Sequence, residues 1–327
     1  MKNHPAASFA LRLAISFGAL GIIVFFLRDK LSETLLIIQT EVAWPWFFLA
    51  VVIYGAAIFI QAIRLQLVFK VQKIIMSLKE AAYLHFIGLF FNLFFPSAVG
   101  GDVAKAYFAY KHTGKKMEST TSVIFDRLMG FVALILMAIT VTLFFSTQLV
   151  DTGIIHWVFA SLFLMVATML FFASKRVARH FKFLKVLIPS QKWRDRLSDL
   201  YHMIHNYRNH KTVLALCILT SFISQVMFIT AHYWLALSLG VDISIWLFFI
   251  LIPLLAVVSM APSVGGLGVR EAGVVYFFSK HMASERAFAL SLLLDLLLYG
   301  YSFAAGLIFA LRGGLKKKLI HEMEALQ

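Results

Sequence analysis

The sequence predicts an all-α polytopic membrane protein of six full spans and two re-entrant helical hairpins, arranged as an inverted repeat. Three observations carry that prediction. First, 61% of the 327 residues are hydrophobic, 14% are charged and mean hydropathy is +0.85, whereas a soluble domain is about 45–50% apolar and about 25% charged. Second, one motif occurs twice. Pro96-Ser97-Ala98-Val99-Gly100-Gly101-Asp102-Val103-Ala104-Lys105-Ala106 is echoed by Pro262-Ser263-Val264-Gly265-Gly266-Leu267-Gly268-Val269-Arg270-Glu271-Ala272. A single-residue gap in each copy aligns Pro-Ser, Val-Gly-Gly, Val and the final Ala. Each copy follows a long apolar segment and precedes another that carries an Asp in its first turns, Asp126 or Asp295. Third, the two copies differ in the basic charge of their flanks, which predicts opposite orientations in the membrane.

Composition also bounds the function. Almost every uncharged run is long enough to span, so one transmembrane domain, 1–327, is expected and no soluble domain. The net charge of +14 sits in loops beside apolar segments, where it sets topology and meets anionic lipid. A solvated basic domain with interleaved aromatics is missing, which argues against nucleic acid as a partner. Cys217 is the only cysteine, which excludes an intrachain disulfide and a thiolate metal site. No metal and no cofactor is expected.

Taken in order, residues 9–27 form the first span, with Arg12 able to snorkel to the interface. No small-residue cleavage signal follows it, so it reads as a retained anchor. Residues 28–42 are a nearly charge-balanced linker. Trp44-Pro45-Trp46 is an interfacial anchor that opens a second span reaching Phe69, and Lys70, Lys73 and Lys79 mark its far end as cytoplasmic. Residues 81–95 are apolar but shorter than the roughly 20 residues a crossing needs. The first motif breaks them, residues 103–110 resume a helix, and Lys111, His112, Lys115 and Lys116 follow. Basic loops on both sides predict a hairpin that enters from the cytoplasm and returns to it.

Residues 120–145 form a span that carries Asp126 and Arg127, and residues 154–173 form the next. Residues 174–211 are the most basic stretch. Trp193, Leu197, Leu200, Ile204 and Tyr207 recur in it at helical spacing, as in an amphipathic helix lying on the cytoplasmic leaflet. Residues 212–239 span again, with Gln225 and His232 inside. Residues 245–260, the second motif and residues 269–279 form the second broken segment, whose weakly basic flanks place it outside. The last span, 287–311, ends in Arg312, Lys316, Lys317 and Lys318, which predicts cytoplasmic termini in a bacterial inner membrane. The repeats are therefore 44–145 and 212–311.

The hairpin tips hold most of the chemistry. Pro96 and Pro262 end the incoming helices, and Gly100-Gly101 and Gly265-Gly266 permit tight turns beside Ser97 and Ser263. A new helix then presents its positive dipole end, with Lys105 or Arg270 in its first turns. Two such ends meeting near mid-bilayer would seek a phosphate, balanced by Asp102, Glu271, Asp126 and Asp295, which could receive a cationic headgroup or a coupling proton. Arg64, Asp126, Arg127 and Asp295 would line or gate a path, which would explain their presence where a central charge costs at least about 2.5–3.5 kcal/mol. Each feature also has a plainer reading. The glycines could be close-packing devices, Arg64 an interfacial anchor, and Asp126-Arg127 a local ion pair. His232 could be a hydrogen-bonded packing residue, and Asp295 a partner for Arg270.

At residues 96–105, at Asp126-Arg127-Leu128-Met129-Gly130 and at residues 262–271 the chain resembles the transmembrane flippase domain of lysyl-phosphatidylglycerol synthases, over nearly its whole length. The resemblance implies lipid translocation without enzymatic activity, by alternating access at a midplane site. The substrate would be a membrane phospholipid or a polyprenyl-linked lipid, with a lipid-modifying enzyme acting in trans. A membrane-embedded glycosyl- or phosphotransferase on lipid-linked substrates and an ion-coupled small-solute transporter are the alternatives.

Overall fold

The structure is a computed structural model that describes residues 31–94, 100–149, 160, 163, 207–259, 263 and 267–311. The expected spans 9–27 and 154–173, most of the basic loop and the C-terminal lysines fall outside these residues. So do Pro96, Ser97, Pro262, Gly265 and Gly266.

The described residues fold into α1 (Leu31–Thr40), α2 (Trp44–Val71), α3 (Leu78–Phe94), α4 (Gly100–Thr113), α5 (Lys116–Leu149), α6 (Lys211–Ser238), α7 (Ile245–Val258), α8 (Val269–Phe278) and α9 (Ser284–Leu311). Helix is what such apolar segments must adopt in lipid, where each backbone N–H and C=O needs a partner within its own segment. Four helices are long and apolar enough to cross a membrane: Trp44–Val71, Lys116–Phe144, Lys211–Ser238 and Ser284–Leu311. Between 28% and 44% of each apolar window is buried in the protein. Most of that surface therefore faces outward, where Phe48, Val52, Phe59, Phe303 and Leu307 are exposed and lipid is the fitting solvent. The chain is a multi-pass membrane protein.

The elements form two sets in the same order, long–short–short–long. They have 28, 17, 14 and 34 residues in α2–α5 and 28, 14, 10 and 28 in α6–α9. The two leading helices run antiparallel to each other: Trp46 stacks on Trp234, Tyr54 meets Phe228, and Arg64 meets Ser221 in sequence. The short helices of each set also double back. Asn92 meets Gly101 and Gly88 meets Lys105 between α3 and α4, while Leu255 meets Gly273 and Phe248 meets Phe278 between α7 and α8. At 1.5 Å per residue the short helices are about 15–26 Å long, less than a hydrocarbon core of about 30 Å. The two sets interlock reciprocally, α3 packing on α9 and α7 on α5.

Two expectations change. The linker before Trp44 contains a helix, α1, which buries Thr34 and Ile37 while packing on α9. The fourth helix starts at Gly100 rather than Val103, so Gly100-Gly101 forms its first turn instead of an open loop. The Gly101 N–H is already used, donating to Asn92 Oδ1 at 2.7 Å. A Cβ at Gly101 would collide with the Gly88 carbonyl oxygen and with Asn92, so this glycine serves the close approach of α3 and α4. In the second motif Gly268 is the N-cap of α8 with φ +81, a conformation that L side chains avoid.

Candidate functional site

A cavity of about 370 Å³ opens between the two sets, within the usual ligand-pocket range of about 300–1,000 Å³. Its walls are largely apolar side chains of α3, α6, α7 and α9, among them Leu89, Phe228, Ile252, Leu255 and Leu294. Polar groups converge on it: Tyr54 and Gln61 from α2, Asn92 from α3, His232 from α6, and Tyr299 and Ser302 from α9. Two guanidinium groups complete the lining, Arg127 from α5 and Arg270 from α8.

Each arginine is held by an ion pair that bridges a short helix and the long helix after it. Arg127 pairs with Asp102 in the first turn of α4, and Arg270 pairs with Asp295 on α9. Both pairs join residues 25 apart in sequence, but the signs are exchanged. In the first corner the acid is on the short helix and the base on the long one; in the second the base is on the short helix. Asp102 also meets Lys105 Nζ at 3.4 Å, so that corner is one acid between two bases. Arg270 Nη2 also donates to Glu271 Oε1 and to the Tyr299 hydroxyl, both at 3.3 Å, so the other corner is one base between two acids. Aromatic faces back both guanidiniums, Phe131 under Arg127 and Tyr299 under Arg270, each at 5.6 Å.

Arg270 Nε is buried and has no hydrogen-bond partner. A guanidinium can donate five hydrogen bonds in a fixed fork, and a buried donor left unused costs about 1–3 kcal/mol.

The remaining expected residues separate into two groups. Arg64 and Asp126 do not line the cavity. Arg64 Nε donates to Asp126 Oδ1 at 2.7 Å and Nη2 to Oδ2 at 3.2 Å, while Nη1 donates to Ser221 Oγ at 3.0 Å. This knot ties α2, α5 and α6 together, and both charged side chains are almost fully buried. Adjacent residues on a helix point about 100° apart, so Asp126 and Arg127 serve different partners rather than each other. Asp295 has a partner, Arg270. Lys105 is buried against Gly88, where a Cβ would overlap its side chain, and Ser263 is buried. His232 both packs and faces the cavity: Nδ1 donates to the Phe228 carbonyl at 2.7 Å, which leaves Nε2 of the neutral ring as an acceptor.

Sequence reading missed Tyr54, Gln61, Asn92, Tyr299 and Ser302. A signal was present, since Asp295, Tyr299 and Ser302 follow i, i+4, i+7 on one face of α9, and Tyr54 and Gln61 stand seven apart on α2.

Apolar helices long enough to cross a bilayer, surrounding an interior cavity lined by two guanidinium groups, define a multi-pass helical membrane protein. The chain belongs to the family described as the lysylphosphatidylglycerol synthase TM region, whose match covers residues 9–306. No curated protein and no solved structure matches it.

Proposed function

We propose that this chain moves the phosphate-bearing headgroup of a membrane lipid across the bilayer, and that Arg127 and Arg270 hold that phosphate in the cavity. One observation carries the reading: each set of helices contributes one guanidinium to the same cavity, and Arg270 retains a buried donor without an acceptor. Arginine is the side chain suited to grip a phosphate through parallel N–H bonds. Family membership supports a lipid as the bearer of that phosphate.

In this reading α2–α5 and α6–α9 are inverted repeats. The α3–α4 and α7–α8 pairs are re-entrant hairpins entering from opposite faces, and spans at 9–27 and 154–173 bring the full crossings to six. Antiparallel α2 and α6, the doubled-back short helices and the exchanged ion pairs support it, since inverted repeats with interrupted helices are a recurrent transporter plan. Alternating access then consists of opening one corner while the other stays closed. The basic loop and C-terminus would lie in the cytoplasm of a bacterial inner membrane. The chain acts as a transporter rather than an enzyme, and a lipid-modifying enzyme in trans would supply or consume its cargo.

Vesicles of phosphatidylethanolamine and phosphatidylglycerol with a fluorescent phosphatidylglycerol probe test the reading. Purified protein should accelerate loss of probe protection from an external quencher, and the Arg127→Ala/Arg270→Ala variant should fall to the protein-free rate. Equal rates for the wild type and empty vesicles, or for the wild type and the variant, would refute it.

A further inference from the structure

The second corner carries more acid than its arginine can balance. Glu271 is 1% exposed, Asp295 is largely enclosed, and Arg270 serves both. Glu271 Oε1 accepts from Arg270, but Oε2 is buried and receives no hydrogen bond from any donor. Glu271 Oε1 and Asp295 Oδ1 both contact one nitrogen, Arg270 Nη2, so the two carboxyls share a single guanidinium N–H group. Two ionised carboxylates have only acceptors and cannot hydrogen-bond each other, whereas a proton shared by the pair would supply the donor that Glu271 Oε2 lacks. Like-charged carboxyls that share a site hold a proton for this reason.

Among the described residues Arg270 is the cation paired with these two acids, and Arg127, which faces the same cavity, is paired with Asp102. Helix α8 packs on α7 and α9. Helix α7, Ile-Trp-Leu-Phe-Phe-Ile-Leu-Ile-Pro-Leu-Leu-Ala-Val-Val, has no ionisable side chain. Helix α9 adds Tyr299, whose hydroxyl accepts from Arg270, and Tyr54 of α2 and His232 of α6 line the same cavity. Among the described residues no cluster of three or more His, Cys, Asp or Glu side chains could hold a metal ion. A proton between the two carboxyls would give Glu271 Oε2 its missing donor.

We propose that Glu271 and Asp295 form a proton-carrying carboxyl pair that takes up one proton when an anionic headgroup draws Arg270 toward the cavity, and that this couples lipid movement to the proton gradient. This deepens the translocation reading above and rests on it. While Arg270 lies against both acids, its charge balances one of them. When the phosphate engages Arg270, that balance weakens, and a carboxylate oxygen gains H⁺ from the side on which the headgroup entered. After the headgroup leaves, Arg270 returns, the O–H bond breaks, and H⁺ departs to the other side. The first corner has no counterpart to this, because there a single acid, Asp102, sits between two bases, Lys105 and Arg127.

Two measurements on the full chain test the proposal. Infrared spectra of the purified protein should contain a carbonyl band from a protonated carboxyl that shifts in D₂O and is lost in both Glu271→Gln and Asp295→Asn. Glutamine and asparagine keep the shape and can donate the missing hydrogen bond, which guards the fold. A band that survives in both variants, or is absent from the wild type, would overturn the proton pair whatever the transport result. In the vesicles above, a pH gradient should raise probe movement by wild type several-fold, an equal sodium gradient should not, and in each variant the rates with and without the pH gradient should become equal. Movement that ignores the pH gradient in the wild type would overturn the coupling and leave translocation standing. Absence of movement under every condition would sink the translocation reading and the coupling together, with the infrared band still deciding the carboxyl pair.

Discussion

The two corners of the cavity occupy equivalent places in their helix sets and carry opposite surplus charge. Asp102 is flanked by Lys105 and Arg127, whereas Arg270 is flanked by Glu271 and Asp295. The exchange of acid and base between short and long helix still leaves one guanidinium facing the cavity from each side. The geometry of the ion pair thus recurs in the second corner while its electrostatics differ. The corners should therefore fail differently when their arginines are removed. Arg270→Ala strands two buried acids and should cost about 5 kcal/mol, the upper end of the range for an uncompensated buried charge. Arg127→Ala leaves Asp102 with Lys105 and should cost about 1.5 kcal/mol, the scale of one hydrogen bond to a charged group. Chemical denaturation of both variants in the same detergent checks this; equal losses would mean that the corners are electrostatically alike.

A second contrast lies behind the corners. Arg64 and Asp126 form a buried pair in the first set, and counted from the first residue of each helix the matching positions are Ala231 and Leu294, one residue before Asp295, both buried. The same two sites are thus filled once by an ion pair and once by apolar side chains. Breaking a buried pair by removing one partner costs about 3–5 kcal/mol, while replacing both partners is often neutral. Arg64→Ala should lose about 3–4 kcal/mol, and Arg64→Ala/Asp126→Leu, which copies the second set, should return to within about 1 kcal/mol of wild type. The same denaturation series decides it. A double variant as weak as the single one would show that Ser221, also bonded to Arg64, needs the guanidinium for its own sake.

These contrasts also show what the sequence could reveal. The four long helices, the two interrupted segments and the acids at Asp126 and Asp295 follow from hydropathy and spacing, because segment length and charge are local properties. Partner choice is not local. Nothing in Asp126-Arg127 says that one residue faces α2 and the other α4; that follows from helix rotation and from which neighbour packs where. The role of Gly101 was hidden for the same reason. A glycine that allows a turn and one that admits a neighbouring carbonyl look alike until Gly88 and Asn92 are seen opposite it. Cavity residues such as Tyr54 and Asn92 are isolated polar positions in apolar runs, and only tertiary packing brings them to one place.

The smallest contrast concerns how each short-helix pair is entered. Helix α3 begins with a capping box: the Ser77 N–H donates to Glu80 Oε2 at 2.7 Å, and the Glu80 N–H donates to Ser77 Oγ at 3.3 Å. Helix α7 begins after Ser244, whose side chain makes no cap. Ser77→Ala should therefore cost about 1 kcal/mol, and Ser244→Ala less than about 0.5 kcal/mol. The first cap also depends on pH. Hydrogen bonds from the Ser77 backbone and hydroxyl, with His112 beside the carboxylate, hold the Glu80 carboxyl below its ordinary range at the exposed start of α3. Because its folded pKa lies below its unfolded one, its contribution is complete above the unfolded value and is lost as pH falls through the folded one. Glu80→Gln should flatten that part of the acid limb of a thermal-stability profile measured in detergent. Ser244→Ala should leave the limb unchanged, and an acid limb of the same depth in Glu80→Gln and wild type would remove Glu80 from the account.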